Sequence, residues 1–444
     1  MHECHQPRTD RPSPFLDGDP ERERHRPAAE RRTFLKVAGA AGAGLLLSAA
    51  PGAERAAAAT TKRAYVVVID GCRPDEIDSG LMPNVKALRD SGRNFARARS
   101  LPITETIPNH VMMMTGLRPD RTGVPANAVW DRTLGAERTL ELPTDLKRET
   151  LLARGARQRL RTASVLSKDY LYGIFGRQAT YRWEPSPILP VTGHAPDGFT
   201  MDATIEMIDQ YDPHLTFVNL GDIDRAGHSD VTGGLGLQLA RRLALLSTDR
   251  QVQRLVSHLQ ETRRWSTSLV LVLADHSMDW SLPHRVISLQ PALNADPTLV
   301  GNFAISQNGG ADLVYWIGSP ARRAAGVRRI LEIVRTQRGV LAAHDRAATP
   351  SLRLGPEAGD VVAYCQAGWR FSDPFVVNNP IPGNHGHPTT EPIPFFIAGG
   401  HPSVRRGTSS VLAHTVDVAP TVGEMLGVPA DPNHPYDGRS LLRA

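Results

Sequence analysis

Cysteine is scarce in this chain, with three residues in 444. Only Cys72 and Cys365 lie beyond the first 59 positions. Two cysteines make no disulfide framework. They either pair with each other or are two small buried hydrophobes, and the second reading is favoured. Charge of one sign is equally lacking. The formal net charge is +5 and no basic block follows residue 59, so nucleic acid is not indicated as a bulk partner. No internal repeat appears, and no low-complexity tract beyond the N-terminal region. The apolar run Val37 to Ala50 is too short for a comfortable membrane span.

That run belongs to a targeting pattern. Glu30-Arg31-Arg32-Thr33-Phe34-Leu35-Lys36 carries twin arginines, the apolar run follows, and Ala56 to Ala59 offers small residues for cleavage. Residues 1–59 are therefore read as a Tat-type signal region, removed on export, with a tail anchored in the membrane as the alternative. The product would be secreted, periplasmic or cell-wall associated, with no stable transmembrane segment after processing. The glycines 39, 42 and 44 belong to this signal and not to a nucleotide loop, because no strand precedes them. Residues 1–29 are polar, charged and Pro-containing, which predicts disorder.

Residues 60–444 read as one catalytic α/β domain. Ala64 to Ile69 is a continuous β-branched run, as expected of a strand buried on both faces. Leu215 to Leu220 and Leu269 to Leu273 repeat the pattern. Further strand candidates are Leu313 to Ile317, Val361 to Tyr364 and Pro394 to Ile397. Helical patterns fall between them at Val85 to Ser91, Asp202 to Tyr211, Leu237 to Arg263 and Gly326 to Gln337. This alternation predicts a mostly parallel sheet flanked by helices. Residues 120–200 and 277–310 are richer in Pro, Gly and Asn and read as loops or a small cap. Val416 to Val422 reads as a turn into a last short helix.

The segment Thr104-Glu105-Thr106-Ile107-Pro108-Asn109-His110 sets a hydroxyl just before a Pro that can open a helix. Thr106 is then a helix cap or a nucleophile facing an anion site at the helix N-terminus. Distant residues bear on that choice. Asp70 follows the first strand run, Asp224 and His228 lie just past the second, and Asp275-His276 closes the third. His385 sits in the Gly-flanked loop Gly383-Asn384-His385-Gly386-His387. Sites in open α/β sheets form at the carboxyl ends of strands. Asp224 and His228 are four apart, so one helical turn sets them on one side. Asp275 and His276 converge only if their strand ends there. Carboxylate oxygens and imidazole nitrogens suit zinc. Six such groups exceed one tetrahedral ion and suggest two metals clamping a displacement at phosphorus.

With these motifs, the chain from Asp70-Gly71-Cys72-Arg73-Pro74-Asp75 to Asp437-Gly438-Arg439-Ser440-Leu441 resembles the alkaline phosphatase superfamily, in its nucleotide pyrophosphatase/phosphodiesterase branch. The resemblance implies a three-layer α/β/α sandwich with a mostly parallel central sheet and a small cap. It implies two Zn2+: one held by Asp224, His228 and His385, the other by Asp70, Asp275 and His276 with Thr106 beside it. Thr106 would be the nucleophile of a covalent phospho-threonine intermediate, hydrolysed by zinc-activated water. The substrate would be a small phosphodiester or nucleotide. Asn127, in Asn127-Ala128-Val129-Trp130-Asp131, matches the branch's donor to a phosphoryl oxygen, and Asn109 is a second candidate. Either could instead be a turn or cap residue. Trp130 is a stacking surface for the leaving group or an ordinary buried Trp. Thr122-Gly123 departs from the His-Gly of many relatives, and the disulfide-rich modules of eukaryotic members are lacking. Both departures bear on substrate, not mechanism.

Rival readings keep the same fold. A sulfatase needs an Arg four residues after Cys72, where Glu76 stands. A phosphomonoesterase needs extra positive groups, for which Arg73 and Arg97 are candidates that nothing fixes in the site. A phosphonoacetate-type C–P hydrolase would use the same metals and threonine, and a non-catalytic metal-binding protein is the remote alternative.

Overall fold

The computed structural model describes residues 15–17, 61–190, 192–229 and 238–444. Apart from residues 15–17, the expected signal region lies outside the described residues, and so does the segment 230–237.

The run predicted as a buried strand forms Arg63–Ile69, and its apolar residues are fully buried. It lies near the middle of a nine-stranded sheet. The strand order is Phe15–Asp17, Tyr181–Trp183, Thr162–Leu166, Leu215–Leu220, Arg63–Ile69, Ser268–Leu273, Phe395–Ala398, Arg93–Phe95 and Gly407–Ser409. The five strands from Tyr181–Trp183 to Ser268–Leu273 are mutually parallel. Antiparallel pairings join the first strand and Phe395–Ala398 to their neighbours. Residues Phe15–Asp17 thus pair with the sheet edge, within a stretch whose composition predicts disorder. The fold is α/β with a mostly parallel central sheet, as the alternation of patterns implied.

Register decides where the chemistry collects. Ile69 pairs with Leu220, Val68 with Leu273, and Leu166 with Asn219. Four parallel strands therefore end side by side. The residues that follow them emerge together at one edge, because side chains beyond a strand end are no longer bound to its two-face alternation. Gly71, in the first of these turns, has a φ of +70° and passes so close to Asp224 that a Cβ would sit 3.0 Å from the Asp224 Cα. Only glycine meets both demands.

Two parts of the chain differ from the sequence reading. Thr162–Leu166 and Tyr181–Trp183 lie inside residues 120–200, yet they are strands of the central sheet and not a cap. Proline and glycine between short strands gave that stretch its loop-like composition. Conversely, Ala311–Trp316 and Val361–Cys365 do not join the parallel sheet. With Phe303–Asn308 and Val340–Asp345 they form a separate four-stranded antiparallel sheet, against which the helix Arg323–Thr336 packs around Trp316 and Ile330. Cys72 and Cys365 are both buried and free, as favoured above. No described helix is long and apolar enough to cross a membrane.

Candidate metal centre and nucleophile

Thr106 is the first residue of the helix Thr106–Thr115. Its hydroxyl caps nothing: the residue preceding the helix is Glu105, and Pro108 stands third rather than first. A proline is tolerated there because the first four N–H groups of a helix have no intrahelical partner. The buried Thr106 hydroxyl instead lies 3.2 Å from His276 Nε2. The Ile107 N–H donates to Asn127 Oδ1 at 2.8 Å. Asn127 thus caps the helix with its oxygen, and its amide nitrogen is left for another acceptor. With the Ile107 N–H taken and none on Pro108, the Thr106 N–H is the first-turn donor left unpaired among the described residues.

The six predicted ligands converge. The strand Ser268–Leu273 stops two residues before Asp275, which frees Asp275 and His276 to point the same way. The helix Asp222–His228 sets Asp224 and His228 one turn apart. Asp224 Oδ1 is 3.3 Å from His228 Nε2 and 4.0 Å from His385 Nε2, and the two imidazole nitrogens are 3.2 Å apart. His276 Nε2 is 3.3 Å from Asp275 Oδ2 and 3.7 Å from Asp70 Oδ1. Asp70, Asp275 and His276 form one cluster able to hold an ion. Asp224, His276 and His385 form another that shares His276, whose ring stacks on that of His385 at 3.6 Å.

The local chemistry fits metal binding. Each of the three histidines has Nδ1 against a backbone carbonyl: His228 on Gly383, His276 on Ser277 and His385 on Thr104, at 2.8, 2.9 and 3.1 Å. A carbonyl only accepts, so Nδ1 carries the proton and Nε2 presents a lone pair to the centre. Burial pushes the His276 imidazole down to about 4. Burial, with His276 and His228 nearby, holds His385 well below the usual range. Both are neutral, as a ligand must be. Meanwhile Asp70 Oδ1, Asp224 Oδ1 and Asp275 Oδ2 are buried without a hydrogen-bond partner. Orphaned carboxylate oxygens beside bare imidazole nitrogens match the donor set of zinc.

Several residues beside the site escaped sequence reasoning. Lys168 is fully buried, with Nζ 2.7 Å from Asp70 Oδ2, 2.8 Å from Asp224 Oδ2 and 3.5 Å from the Thr106 hydroxyl. Burial works to lower its pKa, but Asp224 and Asp70 outweigh it and keep the ammonium charged. Lys168 follows the strand Thr162–Leu166 as Asp70 follows Arg63–Ile69, so the strand-end rule would have found it had that strand been recognised. Asn219 donates to Asp70 Oδ2 at 2.8 Å and bonds His110 Nε2, whose Nδ1 lies on the Thr106 carbonyl. Glu105 accepts the Asn127 N–H at 2.7 Å, and burial pushes its carboxyl up to about 8.

Two candidates are not brought into the site. Asn109 is fully buried and spent on structure: its amide donates to the carbonyls of Leu101, Ile103 and Glu105, and its oxygen accepts from Leu101 and Thr415. One turn along the helix from Thr106, its side chain ties down the segment that leads into the helix. Trp130 is half-buried against the main core. It does not line the cleft of about 250 Å³ bordered by Glu105, Asn127, His228, Gln307, Asn384 and His385.

Comparison with known proteins identifies the family. Residues 64–387 match the family model of type I phosphodiesterase/nucleotide pyrophosphatase. The chain belongs to this family, hydrolases of phosphoric ester bonds that depend on metal. Bis(5'-adenosyl)-triphosphatase enpp4 of Xenopus laevis is 20% identical over 407 residues, covering 84% of this chain and 80% of the relative. Human ectonucleotide pyrophosphatase/phosphodiesterase family member 5 is 21% identical, covering 84% and 76%. Among solved structures, an inactive form of the murine member 5 in complex with AMP superposes with a TM-score of 0.67 at 18% identity, covering 84% of this chain and 96% of that one. Phosphonoacetate hydrolase from Sinorhizobium meliloti, in complex with phosphonoformate, superposes with 0.65 at 17%, covering 83% and 96%.

Proposed function

We propose that the protein is an exported phosphodiesterase or nucleotide pyrophosphatase that works through a covalent phospho-threonine on a two-zinc centre. The observation that carries this reading is the Thr106 hydroxyl, 3.2 Å from His276 Nε2 at a helix N-terminus, beside two groups of converging N and O donors, with His228 3.2 Å from His385. Asp224, His228 and His385 would hold one ion, and Asp70, Asp275 and His276 the other. Bound there, divalent ions supply the positive charge that favours the threonine alkoxide and steadies the leaving oxygen.

The chain's own groups do the rest. Thr106 Oγ attacks phosphorus and the leaving oxygen departs, giving phospho-threonine; water then attacks the same phosphorus and returns the hydroxyl. The Thr106 N–H and the free Asn127 amide donate to non-bridging oxygens, where charge builds in the transition state. His110 and Asn219 keep the nucleophile's turn and Asp70 in place. The twin-arginine segment supports export.

Lys168 favours a second reading. A phosphomonoester carries one more negative charge than a diester, and the fixed cation missing from the sequence argument stands 3.5 Å from Thr106 Oγ. Zinc-loaded protein assayed on bis(p-nitrophenyl) phosphate, p-nitrophenyl phosphate and phosphonoacetate separates the two. Fastest turnover of the diester is expected. A preference for the monoester, or release of phosphate from the phosphonate, would replace the diesterase assignment. Thr106→Ala should abolish turnover with metal content unchanged, and appreciable residual activity would refute the nucleophile.

A further inference from the structure

Four arginines are almost wholly buried among the described residues: Arg154, Arg182, Arg241 and Arg370. Three have the company a buried guanidinium needs. Arg241 pairs with Glu76 at 2.6 Å. Arg154 lies over Tyr436 and Arg182 over Tyr172, each 5.3 Å from the ring centre. Arg370, 6% exposed, has neither a carboxylate nor an aromatic face. Its Nε donates to the Asn379 carbonyl at 2.8 Å and one terminal nitrogen to the Ser281 hydroxyl at 2.7 Å. The other terminal nitrogen has no partner among the described residues and is not shut off from solvent. A largely buried charge without a counter-charge is costly, and its unpaired end is left able to take an anion. Burial alone shifts its pKa, downward, with no acid acting on it.

Arg370 borders a cavity of about 520 Å³, whose walls include Pro283, His284, Val286, Val376 and Val377. The size is that of a small-ligand site, and the lining is mostly apolar, with His284 and Arg370 as its polar members. The cavity adjoins the catalytic cleft. Asn379 and Ile381 border the cleft, while Pro380 between them borders this cavity. Neither the metal ligands nor the nucleophile touch it.

We propose that this cavity is an anion subsite, in which Arg370 binds a carboxylate or phosphate group carried on an apolar body. The remote end of a substrate and a free small anion present the same group and the same chemistry to it. One charge-assisted hydrogen bond corresponds to roughly 10- to 100-fold in affinity.

Isothermal titration of 1-naphthoate into the full chain tests this, with zinc loaded and after chelation. One binding event is expected, surviving chelation and the Thr106→Ala change. Arg370→Gln should weaken it roughly tenfold or more. Val377→Glu alters a 75% exposed position on the cavity wall, so it spares folding, and it should weaken binding by like-charge repulsion. Thermal melts establish that both variants fold. Equal affinity in native and Val377→Glu protein, binding lost on chelation, or no heat at millimolar naphthoate would overturn the subsite. A kinetic arm assigns the source. A KM in Val377→Glu raised for ATP but not for bis(p-nitrophenyl) phosphate assigns the site to a substrate's remote phosphate. Both values unchanged, with naphthoate binding lost, assigns it to a free anion. Only this arm rests on the phosphodiesterase reading, so failure of one is distinguishable from failure of the other.

Discussion

Replacing Lys168 with Met keeps most of the side chain's apolar stem and removes its charge. In metal-free protein, Asp70 and Asp224, both buried, would each lose a charge-assisted bond, of 2.7 and 2.8 Å. Deleting one partner of a buried ion pair costs about 3–5 kcal/mol. The variant can relax by taking up a proton. From the ordinary aspartate value of 3.8, protonating one carboxylate at pH 7 costs about 4 kcal/mol, at about 1.36 per pH unit, so the two routes agree. At about 2.1 cal/mol/K per residue, the unit spanning residues 62–444 unfolds with an entropy of about 0.8 kcal/mol/K, so the change lowers Tm by about 5 °C. Divalent ions on the same carboxylates replace the missing cation, and the deficit should then shrink below about 1 kcal/mol, near 1 °C. Calorimetry of native and variant protein in EDTA and in zinc measures both numbers. The EDTA gap should also narrow toward pH 5. The raised carboxylate in the variant makes its stability fall as pH rises, and at low pH the proton is cheap. An equal Tm loss with and without zinc would refute the charge-balance account and leave Lys168 as a packing residue.

Three further outcomes test other parts of the molecule. Asn127→Ala removes a helix cap and the proposed phosphoryl donor, so it should cost about 1 kcal/mol of stability and about 10²-fold in kcat; a stability loss with unchanged kcat would leave only the cap. His385→Ala should lose one equivalent of metal by elemental analysis and keep the other, and full retention would break the assignment of the first cluster. Asp212, far from the site, is held by Arg63 at 2.7 Å and Arg264 at 3.0 Å. Burial opposes them, yet its carboxyl sits at about 2. Its contribution is present above pH 4 and lost as pH falls toward 2. Asp212→Asn should cost about 1–2 kcal/mol at pH 7 after allowance for its partial exposure, and almost nothing at pH 2.

What the sequence made legible, and what it hid, follows from where each signal is stored. Buried parallel strands are written as unbroken β-branched runs, so Arg63–Ile69, Leu215–Leu220 and Ser268–Leu273 could be read directly, and with them the Asp and His residues at their ends. Thr162–Leu166 is as fully buried, but its sequence, Thr-Ala-Ser-Val-Leu, has only two large apolar residues. With it went Lys168, the cation between the two carboxylates. The same difficulty separated Asn127 from Asn109. Both lie near Thr106 in sequence, and only the packing of Leu101, Ile103 and Thr415 around Asn109 shows that its hydrogen bonds are spent. Arg370 was silent for a different reason. An unpaired buried arginine is defined by the carboxylates that are not near it, and sequence spacing does not record that for a residue whose neighbours Ser281 and Asn379 lie 89 positions before it and 9 after. Strand-end chemistry is thus readable wherever the strand is, whereas a site defined by a missing partner becomes visible only once the fold has placed every other charge.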